Sequence, residues 1–127
     1  MKASVAISAA ESVVMKVLWL RKTPMATEDV IAALAHQEKW QTSTVKTLLN
    51  RLLKKGAVKA QLEGRRYLYS PLIAREQWLS DESTGLLDRL FGGRVAPLVA
   101  HFSQTRKLTK KDIADLKKLI QELDDER

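Results

Sequence analysis

The hydrophobic period of the chain changes from that of a helix to that of a strand at Gly56, which limits the folds open to the first 70 residues. Before Gly56, apolar residues recur at i, i+3, i+4, i+7 and i+8, namely Val45, Leu48, Leu49, Leu52 and Leu53. After it, apolar and polar residues alternate over residues 58–63, as in a half-buried strand. The pattern predicts an amphipathic helix that begins at Thr42 or Ser43, ends before Gly56 and leads into a β-hairpin.

Two further helices are predicted before this one. Ser8 and Glu11 fit a capping box at the start of the first helix, in which each side chain satisfies a free backbone N–H. This helix is expected to end near Arg21, and Thr27 is expected to cap the second. At the tip of the hairpin, Gly64 can take the positive φ of a tight turn. Residues 1–71 are therefore predicted to form a winged helix-turn-helix domain, within a mostly α fold.

The rest of the chain, residues 72–127, is predicted to form three amphipathic helical segments without a strand. Gly92 and Gly93 separate the first segment from the second, and Thr109 and Asp112 resemble a capping box for the third. So thin a domain leaves apolar surface exposed unless a second copy covers it, and we expect a helical dimerisation region. The residues expected to hold the homodimer together are Leu79, Leu86, Leu90, Phe91, Leu98, Phe102, Ile113, Leu116, Leu119, Ile120 and Leu123.

Positive charge is concentrated in the first part of the chain. The net charge is +7, and residues 1–70 hold 12 basic and 5 acidic side chains, whereas residues 71–127 hold 10 of each. Within residues 41–70, seven side chains are basic and Glu63 alone is acidic. Such a basic segment on an otherwise neutral chain indicates a polyanionic partner, with a merely solvated surface as the alternative.

The composition argues against several other classes of protein. Without cysteine, the chain has no disulfide or thiolate metal site, and its two histidines are too few for most other zinc sites. No nucleophile triad, carboxylate pair or glycine-rich phosphate loop is present, so we expect neither an enzyme nor a cofactor. No apolar stretch reaches the roughly 20 residues of a membrane helix, and the N-terminus lacks the pattern of an export signal. A cytoplasmic location is expected.

A helix-turn-helix with a basic third helix indicates double-stranded DNA as the partner. That helix would be about 20 Å long, and the major groove is about 12 Å wide, enough to admit it. Because the N-terminal turn of such a helix usually points into the groove, polar residues there are candidates for reading bases. These candidates are Ser43, Thr44, Lys46 and Thr47. The candidates for holding phosphates, further along the helix, are Asn50, Arg51 and Lys54.

Three other groups of residues each allow two interpretations. Thr42 either caps the third helix, which we favour, or contacts DNA. Arg65 and Arg66 at the hairpin tip either contact the DNA backbone or minor groove, or are solvated. The three tryptophans could stack on bases, but each adjoins an apolar stripe, which favours packing. They are Trp19, Trp40 and Trp78.

Residues 40–52, with the sequence WQTSTVKTLLNRL, closely resemble the recognition helix of the BlaI/MecI family of penicillinase repressors. Shorter segments of this chain are also similar to that family: residues 8–19, 54–56, 64–69, 91–93 and 98–102. The resemblance covers nearly the whole chain, from about residue 6 to residue 123.

The resemblance implies a winged-helix homodimer that binds palindromic operators and represses transcription, often of β-lactamase and its membrane sensor-transducer. In such systems an inducing protease linked to that sensor cleaves the repressor in its dimerisation region. The family's cut lies between Asn and Phe, at the place where this chain has His101 and Phe102. These two residues are therefore the possible cleavage site.

A second interpretation is a winged-helix architectural or protein-interaction module without operator specificity. Basic side chains that bind phosphates would serve either protein, so the residues alone do not separate the two. The ratio of specific to non-specific DNA affinity, measured at a stated salt concentration, does separate them.

Overall fold

The computed structural model describes residues 5–126, which form six helices and one antiparallel two-stranded sheet. In chain order the elements are α1 (Ala9–Arg21), α2 (Thr27–Leu34), α3 (Thr42–Lys54), β1 (Val58–Glu63), β2 (Arg66–Pro71), α4 (Arg75–Phe91), α5 (Val95–Gln104) and α6 (Lys110–Asp125). The order of elements confirms the mostly α fold, with a winged helix-turn-helix followed by C-terminal helices. No helix within this range is long and apolar enough to cross a bilayer.

The capping box at the start of α1 is confirmed. The Ser8 hydroxyl accepts from the Glu11 N–H at 3.1 Å, and the Glu11 carboxylate accepts from the Ser8 N–H at 2.8 Å. Two of the free N–H groups at the helix start are thereby satisfied. The helix ends as expected, with Lys22 as a left-handed C-cap at φ 62°.

The predicted caps of α2 and α3 are wrong by one residue. Ala26, not Thr27, occupies the cap position of α2, and its carbonyl accepts from the Asp29 and Val30 N–H groups. Ala26 is fully buried, so the core selects a small apolar residue there, and the Asp29 carboxylate accepts from its N–H at 3.0 Å.

Gln41, not Thr42, is the cap residue of α3, because its carbonyl accepts from the Thr44 and Val45 N–H groups. Thr42 is the first helical residue.

The exit from α3 is confirmed at Gly56. Gly56 has φ +78°, its N–H donates to the Leu53 carbonyl, and the Ala57 N–H donates to the Leu52 carbonyl at 2.9 Å. This is a Schellman motif, which satisfies carbonyls at the helix end and reverses the chain. The strand β1 therefore begins within four residues of the end of α3.

The hairpin has a two-residue turn, with Glu63 opposite Arg66 and Gly64 at φ +66°. Its base is tied to the segment before α2, since Met25 and Tyr69 exchange two backbone hydrogen bonds of 2.9 and 2.8 Å. The strand β1 was predicted to be half-buried along its length. Only its start at the base of the hairpin is buried, because Leu62, near the tip, is 60% exposed.

The core lies between α1, α2, α3 and the base of the hairpin. It consists of Val14, Met15, Leu18, Met25, Val30, Leu34, Val45, Leu48, Leu49, Leu52, Ala57 and Val58. Leu53, expected on the buried stripe of α3, is instead 39% exposed. At 100° per residue it lies about 90° from the centre of the stripe, which places it at the edge of the packed face.

The helix α4 begins at Arg75, three residues later than predicted. Residues 72–74 are held by long-range hydrogen bonds instead, since the Leu72 N–H donates to the Ala57 carbonyl and the Trp19 indole N–H donates to the Ile73 carbonyl at 2.9 Å. The Trp19 ring also lies 5.4 Å from that of Trp78. Packing rather than base stacking is thus confirmed for these two tryptophans, and Trp40 likewise packs against the core.

By internal contacts the chain separates into one unit that ends at Asp81 and a second that begins at Glu82. The domain boundary after residue 71 stays a prediction. The tryptophan contacts explain why the first turns of α4 group with the first unit.

The second unit contains the rest of α4, α5 and α6. Gly92 and Gly93, at φ +60° and +77°, separate α4 from α5, and Thr109 caps α6 in a capping box with Asp112, both as predicted. None of the residues described in α4, α5 and α6 is buried. The expected dimerisation residues are exposed or half-buried in the single chain, and their role stays a prediction.

Candidate nucleic-acid interface

The outward face of α3 is polar and basic. Every candidate side chain on this helix is exposed, as are the two arginines of the hairpin. These exposed residues are Thr42, Ser43, Thr44, Lys46, Thr47, Asn50, Arg51, Lys54, Arg65 and Arg66. Because the stripe at Val45 and Leu49 is fully packed, α3 cannot rotate without exposing its apolar face. The core therefore fixes which side chains the helix presents.

One candidate on α3 has part of its hydrogen-bonding capacity occupied. The Thr47 hydroxyl donates to the Ser43 carbonyl one turn earlier, at 2.9 Å. Such bonds along a helix are common for threonine. In this conformation Thr47 can accept a hydrogen bond from a base or water, whereas its proton is already used.

A surface depression between α3, the start of α2 and the hairpin brings four of the candidates together. It is lined by Thr27, Glu28, Lys46, Asn50, Arg65, Arg66, Tyr67 and Tyr69. Lys46 and Asn50 come from α3, and Arg65 and Arg66 come from the hairpin. Cations from two separate elements therefore line one depression, an arrangement that favours a polyanionic ligand.

Sequence reasoning missed Glu28 as a member of this surface. Its carboxylate lies 3.9 Å from the Arg66 guanidinium, and both side chains are more than half exposed. The sequence showed two acidic residues in the first turn of α2, which suits the helix dipole. Asp29 has that local role at the Ala26 N–H, whereas Glu28 faces the depression.

One of the seven basic side chains of residues 41–70, that of Lys55, stabilises the fold and does not face the candidate DNA surface. The Lys55 ammonium donates to the buried Glu11 carboxylate and to the Ala6 carbonyl at 2.8 Å. Burial raises the pKa of Glu11, but hydrogen bonds from Lys55 and Ser8 outweigh that effect, and the pKa lies below its ordinary value. Glu11 is therefore ionised at neutral pH, and the pair ties α1 to the end of α3.

Comparison with known proteins agrees with this geometry. The model of the penicillinase repressor family matches residues 7–122 of the chain. The penicillinase repressor of Bacillus licheniformis is 34% identical over 116 residues, which cover 91% of this chain and 90% of that protein. The penicillinase repressor of Staphylococcus aureus is 30% identical over 119 residues, which cover 94% of each.

Among solved structures, the chain is similar to B. licheniformis BlaI in its monomeric form in complex with the blaP half-operator. The match has 41% sequence identity and a TM-score of 0.51, and it covers 60% of this chain and 92% of that one.

Proposed function

Because the chain belongs to the penicillinase repressor family, we propose that it represses β-lactamase-type resistance genes by binding palindromic operators as a homodimer. One observation carries the proposal: a relative with 41% sequence identity has been solved on a half-operator. The exposed polar and basic side chains of α3 support it, because such groups suit contacts with bases and phosphates. The family is one of repressors and not of enzymes.

The dimensions of α3 support its insertion into the major groove. Its 13 residues span about 20 Å, and a groove about 12 Å wide admits one helix. Ser43, Thr44 and Lys46, in the first turns, would contact base edges. Arg51 and Lys54, further along, would bind phosphates, which orient the protein without reading sequence. Arg65 and Arg66 would hold the hairpin against the backbone or minor groove.

Substitutions on α3 are expected to separate affinity from sequence discrimination. Arg51→Ala should weaken binding to every duplex and reduce the slope of log affinity against log salt by about 1, because one phosphate contact is lost. Thr44→Ala or Lys46→Ala should instead cost about 1–3 kcal/mol of discrimination between the operator and a mismatched site. Fluorescence anisotropy with both duplexes at several salt concentrations measures these effects.

The same titrations distinguish the proposal from an architectural module. A repressor binds its operator about 10³-fold or more tightly than random DNA at physiological salt, whereas a module without specificity binds both alike. No binding to any duplex at low salt would exclude both the repressor and the architectural module, and would leave the protein-interaction module. Lys118→Ala on α6, outside the candidate surface, removes one positive charge and serves as the control.

The second unit supports the homodimer. Large apolar side chains on α4, α5 and α6, such as Leu90, Phe102 and Leu123, are between 38% and 60% exposed. So many exposed apolar residues on one small unit mark an interface. A second copy related by a twofold axis would cover them and would present two copies of α3 to the two halves of a palindrome.

We further propose that induction cleaves the bond between His101 and Phe102. Both side chains are exposed, but the bond lies within α5, where His101 also packs 6.1 Å from the Phe91 ring. A protease must therefore open this helix locally before it can cut. The inducing protease would be coupled to a membrane sensor of β-lactams.

Cleavage predicts fragments of residues 1–101 and 102–127 in β-lactam-treated cells, identified by intact-protein mass spectrometry. Untreated cells should contain the full chain only. Full induction of the target genes while the chain stays intact would contradict this mechanism.

A further inference from the structure

Glu28 is the one acidic side chain among the residues that line the depression between α3, α2 and the hairpin. The others with charge are Lys46, Arg65 and Arg66, all cationic. Glu28 is 70% exposed, so it has no role in packing. It does not cap α2 either, because the Asp29 carboxylate accepts the hydrogen bond from the Ala26 N–H. Its carboxylate instead lies 3.9 Å from the Arg66 guanidinium of the hairpin.

The pair between Glu28 and Arg66 competes with DNA. At 3.9 Å the carboxylate attracts the Arg66 guanidinium, and the same side chain is a candidate for a DNA phosphate. A phosphate that approaches Arg66 must therefore take it from Glu28. Both partners are solvated, so the competition is modest and screened by salt.

We propose that Glu28 lowers the affinity of this protein for all DNA by holding Arg66 in the free protein. The inference rests on the proposed DNA-binding function and adds a positioning residue to it. Because Arg66 would contact the backbone or minor groove, Glu28 weakens operator and random duplex by the same factor. It thus limits retention on non-specific DNA without changing sequence preference.

The test is Glu28→Gln, which removes the charge and keeps the shape. An exposed ion pair changes an equilibrium constant by up to about fivefold, so binding to operator and to a random duplex of equal length should each tighten about three- to fivefold at 0.1 M salt. The control is Glu38→Gln, which makes the same change in net charge on a different surface, beside Lys16 and Arg21. It should change either affinity less than twofold.

A double variant tests whether Glu28 acts through Arg66. In an Arg66→Gln background, Glu28→Gln should change affinity less than about 1.5-fold, because there is no guanidinium left to release. A full threefold gain in that background would overturn the proposal, since Glu28 would then act on DNA directly.

Other outcomes also give a decision. Unchanged or weaker binding by Glu28→Gln, with normal wild-type binding, would overturn the role of Glu28 alone. Wild-type protein that binds neither duplex would instead overturn the proposed function.

Discussion

A fragment that ends at Asp81 is expected to remain folded and to bind a single half-site as the full chain does, but to bind a two-half-site operator about 10²- to 10⁴-fold more weakly. The full homodimer places a second copy of α3 beside the second half-site at high effective concentration once the first has bound. The fragment lacks the exposed apolar face of the second unit and loses this linkage. Titrations on one-site and two-site duplexes measure the difference.

The end point of the fragment follows from contacts rather than from the helix pattern. Leu72 donates to Ala57, Ile73 accepts from the Trp19 indole, and the Trp78 ring packs on that of Trp19. A fragment that ends at Ser70 would lose all three contacts and should melt at a lower temperature than one that ends at Asp81. Comparing the two fragments by circular dichroism tests whether the first turns of α4 belong to the DNA-binding unit.

Sedimentation of the full chain and of the longer fragment completes this test. The full chain should sediment as a dimer at micromolar concentration and the fragment as a monomer. A monomeric full chain, or a fragment with undiminished affinity for the two-site operator, would contradict assembly through α4, α5 and α6.

The fold could be predicted from sequence wherever local patterns determine it. The stripe of α3 apart from Leu53, the positive-φ glycines at 56 and 64 and the Ser8 capping box each act over a few residues, and each was confirmed. The caps of α2 and α3 were each missed by one residue, and the larger error occurs where distant residues decide the outcome. The start of α4 is set by a hydrogen bond between Trp19 and Ile73, 54 positions apart, and no local period contains that information.

In the candidate interface, too, the features set by local patterns could be predicted and those set by distant contacts could not. The exposed face of α3 followed from its buried stripe, because the two faces of an amphipathic helix determine each other. The position of Glu28 opposite Arg66 could not be predicted in this way, because it depends on how the hairpin packs beside α2. Which of the exposed residues contact DNA stays a prediction for the titrations above.

Lys55→Met is expected to destabilise the first unit by about 2–3 kcal/mol at pH 7, because it leaves the Glu11 carboxylate ionised and unpaired in the core. The Glu11 side chain is only 1% exposed, and its second oxygen has no hydrogen-bond partner among the described residues. Breaking a fully buried pair costs about 3–5 kcal/mol. The smaller value applies here because Lys55 is 37% exposed and admits some water to the pair.

The loss should shrink on acidification. Because the pKa of Glu11 is lowered in the folded wild type, the pair contributes its stability above the ordinary carboxyl pKa and loses it as the pH falls through the lowered value. Lys55→Met removes the largest of the effects that lower this pKa, so burial has more weight in the variant. The variant therefore accepts a proton at higher pH than the wild type, and the two stabilities converge.

Urea denaturation of both proteins at pH 7 and near pH 4 measures this convergence, with Lys54→Met as the matched control. Lys54 has the same charge, is exposed and forms no ion pair within residues 5–126, so its replacement should cost less than about 0.5 kcal/mol at either pH. The double variant Glu11→Gln/Lys55→Met should recover part of the loss at pH 7, since it removes the unpaired charge. A loss that is equal at both pH values, or no recovery in the double variant, would show that Lys55 stabilises the fold by packing rather than through its pair with Glu11.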